Sequence, residues 1–99
     1  MAGPIYKLFL NRMTQAWYEL SQEERNAYMA KIGAVLDQLG AKTIVMCTPS
    51  WSAEQWAVFG VTEFPNIEAV QKSIDLFYAM DHYRYFEAET MLGTKYPPD

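Results

Sequence analysis

His82 is the single histidine of the chain, and the one side chain whose unperturbed pKa lies near neutrality. It follows an apolar stretch that reads as a helix, so it stands at a helix-to-strand junction, on the rim of a sheet. There it can serve as a general acid or base towards a small carbonyl compound. It can equally be a helix-terminus histidine bonded to the last carbonyls and favoured by the dipole. Glu87 and Glu89 alternate with Phe86, Ala88 and Thr90. If the latter set faces the helices, Glu87 and Glu89 take the opposite side; weighed with Glu63, they read either as a carboxylate base of raised pKa or as a polar plug held by salt bridges. A buried carboxylate needs a partner or a proton, and Lys7 on a neighbouring strand is the expected partner. Arg12, just after the first strand, offers a fork-shaped donor for a carboxylate, either a ligand's or a surface glutamate's. Trp17, Trp51 and Trp56 can line an aromatic cavity for a planar ligand or plug the core. Cys47, mid-strand, reads as a small buried hydrophobe.

Composition narrows the partners. The 99 residues carry a net charge of −4, with no basic run, which argues against a nucleic-acid backbone as ligand. One cysteine excludes an internal disulfide framework and is too few for a cysteine-based zinc site. A lone histidine with scattered carboxylates is a poor metal constellation, so no metal is expected. Dinucleotide, Walker, zincin and nucleophile-elbow patterns are all missing. No stretch approaches the roughly 20 apolar residues that span a bilayer, and no signal peptide is evident. The expectation is a cytoplasmic protein without a membrane or nucleic-acid partner. Half the residues are hydrophobic (51%) and 15% are aromatic, enough to suggest an apolar surface covered by a partner chain.

Six elements must position these groups. Ile5–Leu10 reads as a strand with near-continuous apolar residues, and Asn11–Leu20 as a connection whose Trp17 and Tyr18 lid a cavity or pin the loop. Ser21 to Glu24 forms a capping box for a helix running to Leu39, with Tyr28, Ile32, Val35 and Leu39 as its stripe and Gly40 as its left-handed stop. Lys42–Thr48 is a second strand and Trp56–Phe64 a third, joined across a Pro- and Ser-rich turn. Pro65 ends the third, and Asn66 caps a helix to Met80 whose face is Ile67, Val70, Ile74 and Phe77. Tyr83–Leu92 alternates as the fourth strand. The order is βαββαβ, a ferredoxin-like α+β fold with a four-stranded antiparallel sheet and two helices on one face. One domain spans residues 1–99, with its core in 5–93 and a tail in 94–99. The bare sheet face asks for a second copy packed across a two-fold axis.

On this element order, the LSQEER first-helix start, the strand–EFPN–helix junction and the aromatic last strand, the chain resembles the dimeric α+β-barrel superfamily. That group includes antibiotic-biosynthesis monooxygenases, muconolactone isomerase-like proteins, stress-responsive A/B-barrel proteins and polyketide cyclases. The resemblance implies a homodimer through the open sheet face and a pocket between helices and sheet. It also implies a small cofactor-independent enzyme that isomerises, cyclises or oxygenates a compact aromatic or polyketide-like molecule by proton transfer. In such a pocket His82 would be the acid/base, and Tyr28 and Tyr6 would donate to an enolate or phenolate oxygen. Tyr6 serves only if its strand turns Tyr6, Leu8 and Leu10 towards the helices. Tyr78, Trp17, Trp51, Trp56 and Arg12 would complete a ligand-binding lining. The rival is a non-catalytic dimeric module for a small ligand or a stress-related accessory role. A third possibility, heme or metal binding, needs His82 to face a wide cavity.

Overall fold

The computed structural model describes residues 3–98. Met1, Ala2 and Asp99, the extremes of the expected lead and tail, lie outside the described residues. Eight elements follow one another: β1 (Ile5–Met13), α1 (Gln15–Tyr18), α2 (Gln22–Gln38), β2 (Lys42–Cys47), β3 (Val58–Phe64), α3 (Ile67–Ala79), α4 (His82–Tyr85) and β4 (Phe86–Gly93). The strands form one antiparallel sheet in the order β2-β3-β1-β4. The long helices α2 and α3 pack on one face of it, which is the ferredoxin-like α+β arrangement.

Local chemistry places the helix ends. The Ser21 hydroxyl accepts from the Glu24 N–H at 3.1 Å, and the Glu24 carboxylate accepts from the Ser21 N–H at 2.9 Å. A cap of this kind contributes about 1 kcal/mol. At the other end Gly40 takes φ +70°. Its N–H then reaches the Asp37 carbonyl and that of Ala41 the Leu36 carbonyl, which satisfies the last turn of α2. The Asn66 side chain accepts from the Ala69 N–H at 2.8 Å and starts α3.

The core falls into two clusters. Ile5, Phe64, Ala69 and Val70 meet with Ala41 at one end, walled by Leu36, Leu39 and Ile74. Trp17, Tyr28 and Phe86 meet at the other, with Met13, Ile32 and Tyr85 around them. Register fixes the two faces of the sheet. Ile5 pairs with Phe64 and Lys7 with Thr62, while Phe9 lies opposite Gly60. These residues face the helices with Ile5 and Phe64. Gly60 has no room for a side chain there: a Cβ would sit 2.6 Å from the Val45 carbonyl oxygen and 2.7 Å from the Phe9 ring.

Four expected strand bounds are corrected. β1 runs on to Met13, because Asn11 to Met13 pair with Ala88 to Phe86 of β4. Trp56 precedes β3 rather than starting it, and Thr48 lies beyond β2. The stretch His82–Tyr85 is a helical turn, so β4 begins only at Phe86. The cause is Asp81, at φ 60° and ψ 34°, which turns the chain left-handed after α3. From Phe86 onwards the register keeps Phe86, Ala88 and Thr90 on the side of Met13, Asn11 and Phe9, but Phe86 alone among the β4 residues is buried.

Candidate functional site

The left-handed turn at Asp81 returns the His82 ring over the end of α3. The imidazole lies between two phenyl rings, Phe77 of α3 at 4.7 Å and Phe86 of β4 at 4.8 Å between centroids, both near-parallel. Tyr83 meets it edge-on at 5.3 Å. Tyr28, the first residue of the inward stripe of α2, reaches across so that its Oη lies 3.1 Å from His82 Nδ1. Both side chains are buried. The two leading candidates of the sequence are therefore one hydrogen-bonded pair.

Aromatic packing holds the pair. Trp17 sets its edge to Tyr28 at 6.0 Å and lies 4.9 Å from Phe86. Its own turn is tied down by Arg25, whose guanidinium donates to the carbonyls of Trp17 and Tyr18. Thr14 adds two bonds to the carbonyls of Arg84 and Tyr85, joining the end of β1 to α4. Trp17 thus pins its connection to the core.

Burial sets the charge state. Loss of hydration pushes the His82 imidazole down to about 4, and the charge of Lys7 adds to it. Burial likewise pushes the Tyr28 phenol up to about 12, reinforced by Tyr85, Asp81 and Tyr83. At neutral pH both are uncharged, and the ring carries one proton. Either the Tyr28 O–H donates to Nδ1, or Nδ1–H donates to the Tyr28 oxygen and leaves the Nε2 lone pair open. Nε2 has no hydrogen-bond partner among the described residues, yet no polar atom of a covered side chain is both fully enclosed and unpartnered.

Lys7 is the functional candidate that sequence reasoning placed on the wrong side. It points to the helices, with Nζ 5.7 Å from the centre of the Phe77 ring that also stacks on His82. Burial lowers its pKa. It is not the partner of Glu87 or Glu89, which share the opposite face with Leu10 and Arg12. One signal marked it: a single charge inside an otherwise apolar strand, IYKLFL.

Other candidates lie elsewhere. Tyr6 points to the open sheet face and donates to Glu63 at 2.9 Å, because the parity that sends Ile5 and Lys7 inwards sends Tyr6 outwards. That bond, with burial and the Glu63 charge, raises its pKa. Arg12 is bound to Glu87, with Nε 2.8 Å and Nη2 2.6 Å from the same oxygen, and stacks over Trp56 at 5.4 Å. Trp51 is 86% exposed in its turn. Tyr78 faces solvent on α3 beside Tyr83. An open groove of about 490 Å³ lies on the open face, lined by Tyr6, Leu8, Val61 and Met91 and by the stretch Leu92 to Lys95. Among the described residues no cluster of three metal-ligating side chains occurs, and no helix is long and apolar enough to cross a membrane.

A family model covers nearly the whole of this arrangement, residues 7–99. The chain belongs to the family of unknown function DUF6616. No curated protein matches this DUF6616 chain. Among solved structures, a chlorite dismutase mutant from Candidatus Nitrospira defluvii superposes with a TM-score of 0.75 at 14% identity, over 100% of this chain and 43% of that one. The same enzyme in complex with imidazole gives 0.75 and 14%, over 99% and 42%. A protein of unknown function from Rhodopseudomonas palustris gives 0.71 at 22% identity, over 99% of this chain and 86% of that one. The chain therefore spans somewhat less than half of the chlorite dismutase chain. At these identities the likeness is one of fold, and it agrees with the ferredoxin-like α+β fold expected from the sequence.

Proposed function

We propose that this protein is a cofactor-independent proton-transfer enzyme working in the space between helices and sheet, with His82 as base and Tyr28 as the group that orients it. The observation that carries the reading is the 3.1 Å contact between two buried, uncharged groups inside an aromatic cage. With Nδ1–H directed at the Tyr28 oxygen, Nε2 takes a proton from carbon. The electron pair moves to the substrate carbonyl oxygen, while the Tyr28 oxygen, on the other side of the ring, holds Nδ1–H and so fixes the tautomer that leaves Nε2 basic. Return of the proton from His82 to a different atom completes an isomerisation or cyclisation with no net proton change.

The pKa narrows the substrate. A histidine near 4 is always in its basic form at neutral pH, but it is a weak base. It suits a carbon acidified by two carbonyls, as in β-dicarbonyl and polyketide-like compounds. Tyr6, Trp51, Tyr78 and Arg12 take no part in this chemistry; Trp17 holds the Tyr28 wall.

Benzoylacetone in heavy water tests the reading through the NMR signal of its central C–H. The protein is expected to speed the loss of that signal over buffer alone. His82→Gln should cut the acceleration by about 10²–10⁴-fold, and Tyr28→Phe should weaken it. No acceleration by the parent protein, or equal acceleration by both variants, sinks the assignment.

The assembly proposed with it is a homodimer through the open sheet face. Leu8, Val61 and Met91 form an apolar band there between the Tyr6–Glu63 and Arg12–Glu87 pairs. A second copy would cover it by a two-fold axis. Sedimentation should give twice the 11.4 kDa chain mass. A value near one chain counts against the dimer and leaves the His82 site untouched.

A further inference from the structure

Among the described residues, Lys7 is the one cation set over a ring that stacks on His82, and it points to the helix side of the sheet. β1 carries it inwards between Ile5 and Phe9, both of which serve the packed face. Its neighbour across β3 is Thr62, buried and uncharged. The ion pairs among the described residues are Arg12–Glu87 and Arg84–Asp81, and neither involves Lys7. Lys7 is half-buried there, and among the described residues no carboxylate pairs with it to offset the hydration it loses. The Phe77 ring offers a cation–π contact at 5.7 Å, the simplest alternative account of the position.

We propose that Lys7 is a nucleophilic amine that condenses with a carbonyl of a β-dicarbonyl ligand held beside the Tyr28–His82 pair. The inference rests on the reading of this space as a site for carbonyl compounds, and it adds a covalent step that reading does not require. The Lys7 nitrogen forms a bond to the carbonyl carbon while the C=O π pair moves to oxygen. The Tyr28–His82 pair carries a proton from that nitrogen to that oxygen, giving the carbinolamine. Loss of the hydroxyl with the remaining N–H proton releases one water and leaves C=N, which in a β-dicarbonyl shifts to the conjugated enaminone. Nothing is oxidised or reduced. Burial lowers the Lys7 pKa and so enlarges the share of free amine. A desolvated lysine in an apolar pocket is a recognised way to make an amine reactive at neutral pH.

Acetylacetone tests this on the intact protein. The expected result is one adduct per chain, heavier by one diketone less one water, with the near-ultraviolet band of an enaminone. Peptide mapping should place it on Lys7 and not on the exposed Lys31, Lys42, Lys72 or Lys95. Lys7→Arg keeps a cation over Phe77 and should lose the adduct while retaining the parent's circular dichroism. Lys7→Met, lacking both charge and amine, should lose it as well. An adduct spread over the exposed lysines at the same rate, or none on the folded parent, overturns the proposal. The two readings part cleanly. Lys7 labelling without benzoylacetone exchange ends the proton-transfer assignment alone. Exchange without labelling ends this one.

Discussion

Lowering the pH from 7 to 4 is expected to remove about 3 kcal/mol of stability through His82 alone. Its folded value is about 4 against an ordinary 6.5. Above pH 6.5 both folded and unfolded chains hold the ring neutral, so it contributes no pH dependence. As the pH falls through 6.5 the unfolded chain binds a proton that the folded chain refuses, and stability drops. Below about 4 both forms are protonated and the loss levels off. Urea unfolding at pH 7, 5 and 4 measures the slope. His82→Gln is less stable at pH 7 but should lose less on acidification, because its carboxylates titrate as in the parent. Equal slopes in the two proteins would mean that the imidazole titrates in the fold as it does in an open chain, and the buried, stacked position would be wrong.

Replacing Phe86 with alanine should cost about 3–5 kcal/mol. Phe86 is buried, lies 4.9 Å from Trp17 and stacks on His82 at 4.8 Å, so its loss opens a cavity in the second cluster that three elements wall. Small domains have about 5–15 kcal/mol in total, which makes this among the most damaging single changes available. The same substitution lets water reach one face of the imidazole. The His82 pKa, followed by NMR, should then rise towards its ordinary value. A variant that is as stable as the parent, with an unmoved His82, would show that the stack is not where the energy lies. The two experiments examine one feature from opposite sides: the first by charging the ring, the second by uncovering it.

Much of the fold was legible because its signals are local. Ser21 and Glu24 satisfy each other over three residues, and Gly40 and Asn66 act within one turn. The alternation of β4 was legible for the same reason, since Phe86, Ala88 and Thr90 can be sorted from Glu87 and Glu89 without knowing what lies on either side. The parity of β1 could not be read this way. IYKLFL is apolar on both faces, and the single charge suggests that Lys7 points outwards when it points in. That one residue decided Tyr6 as well, because the two alternate. The helical turn at His82–Tyr85 was hidden by Asp81, a non-glycine residue in a conformation that glycine favours. Tyr28 and His82 could each be singled out by type, but their contact depends on how α2 docks against the end of α3. That is a tertiary fact with no counterpart in spacing.

The strand order has a consequence for how the chain finds its structure. β1 is central, yet it precedes both of its neighbours: the Tyr6–Glu63 bond spans 57 residues and the Arg12–Glu87 bond spans 75. Neither pairing can be zipped from a hairpin, and each demands the closure of a long loop before any ladder forms. Only β2 and β3 are neighbours in both sequence and space. Topologies dominated by such distant pairings fold in roughly milliseconds to seconds. During that interval the apolar IYKLFL segment waits without a partner, an adhesive length of the unfolded chain. Lys7 then has a second effect, since a charge within such a segment discourages its pairing with copies of itself.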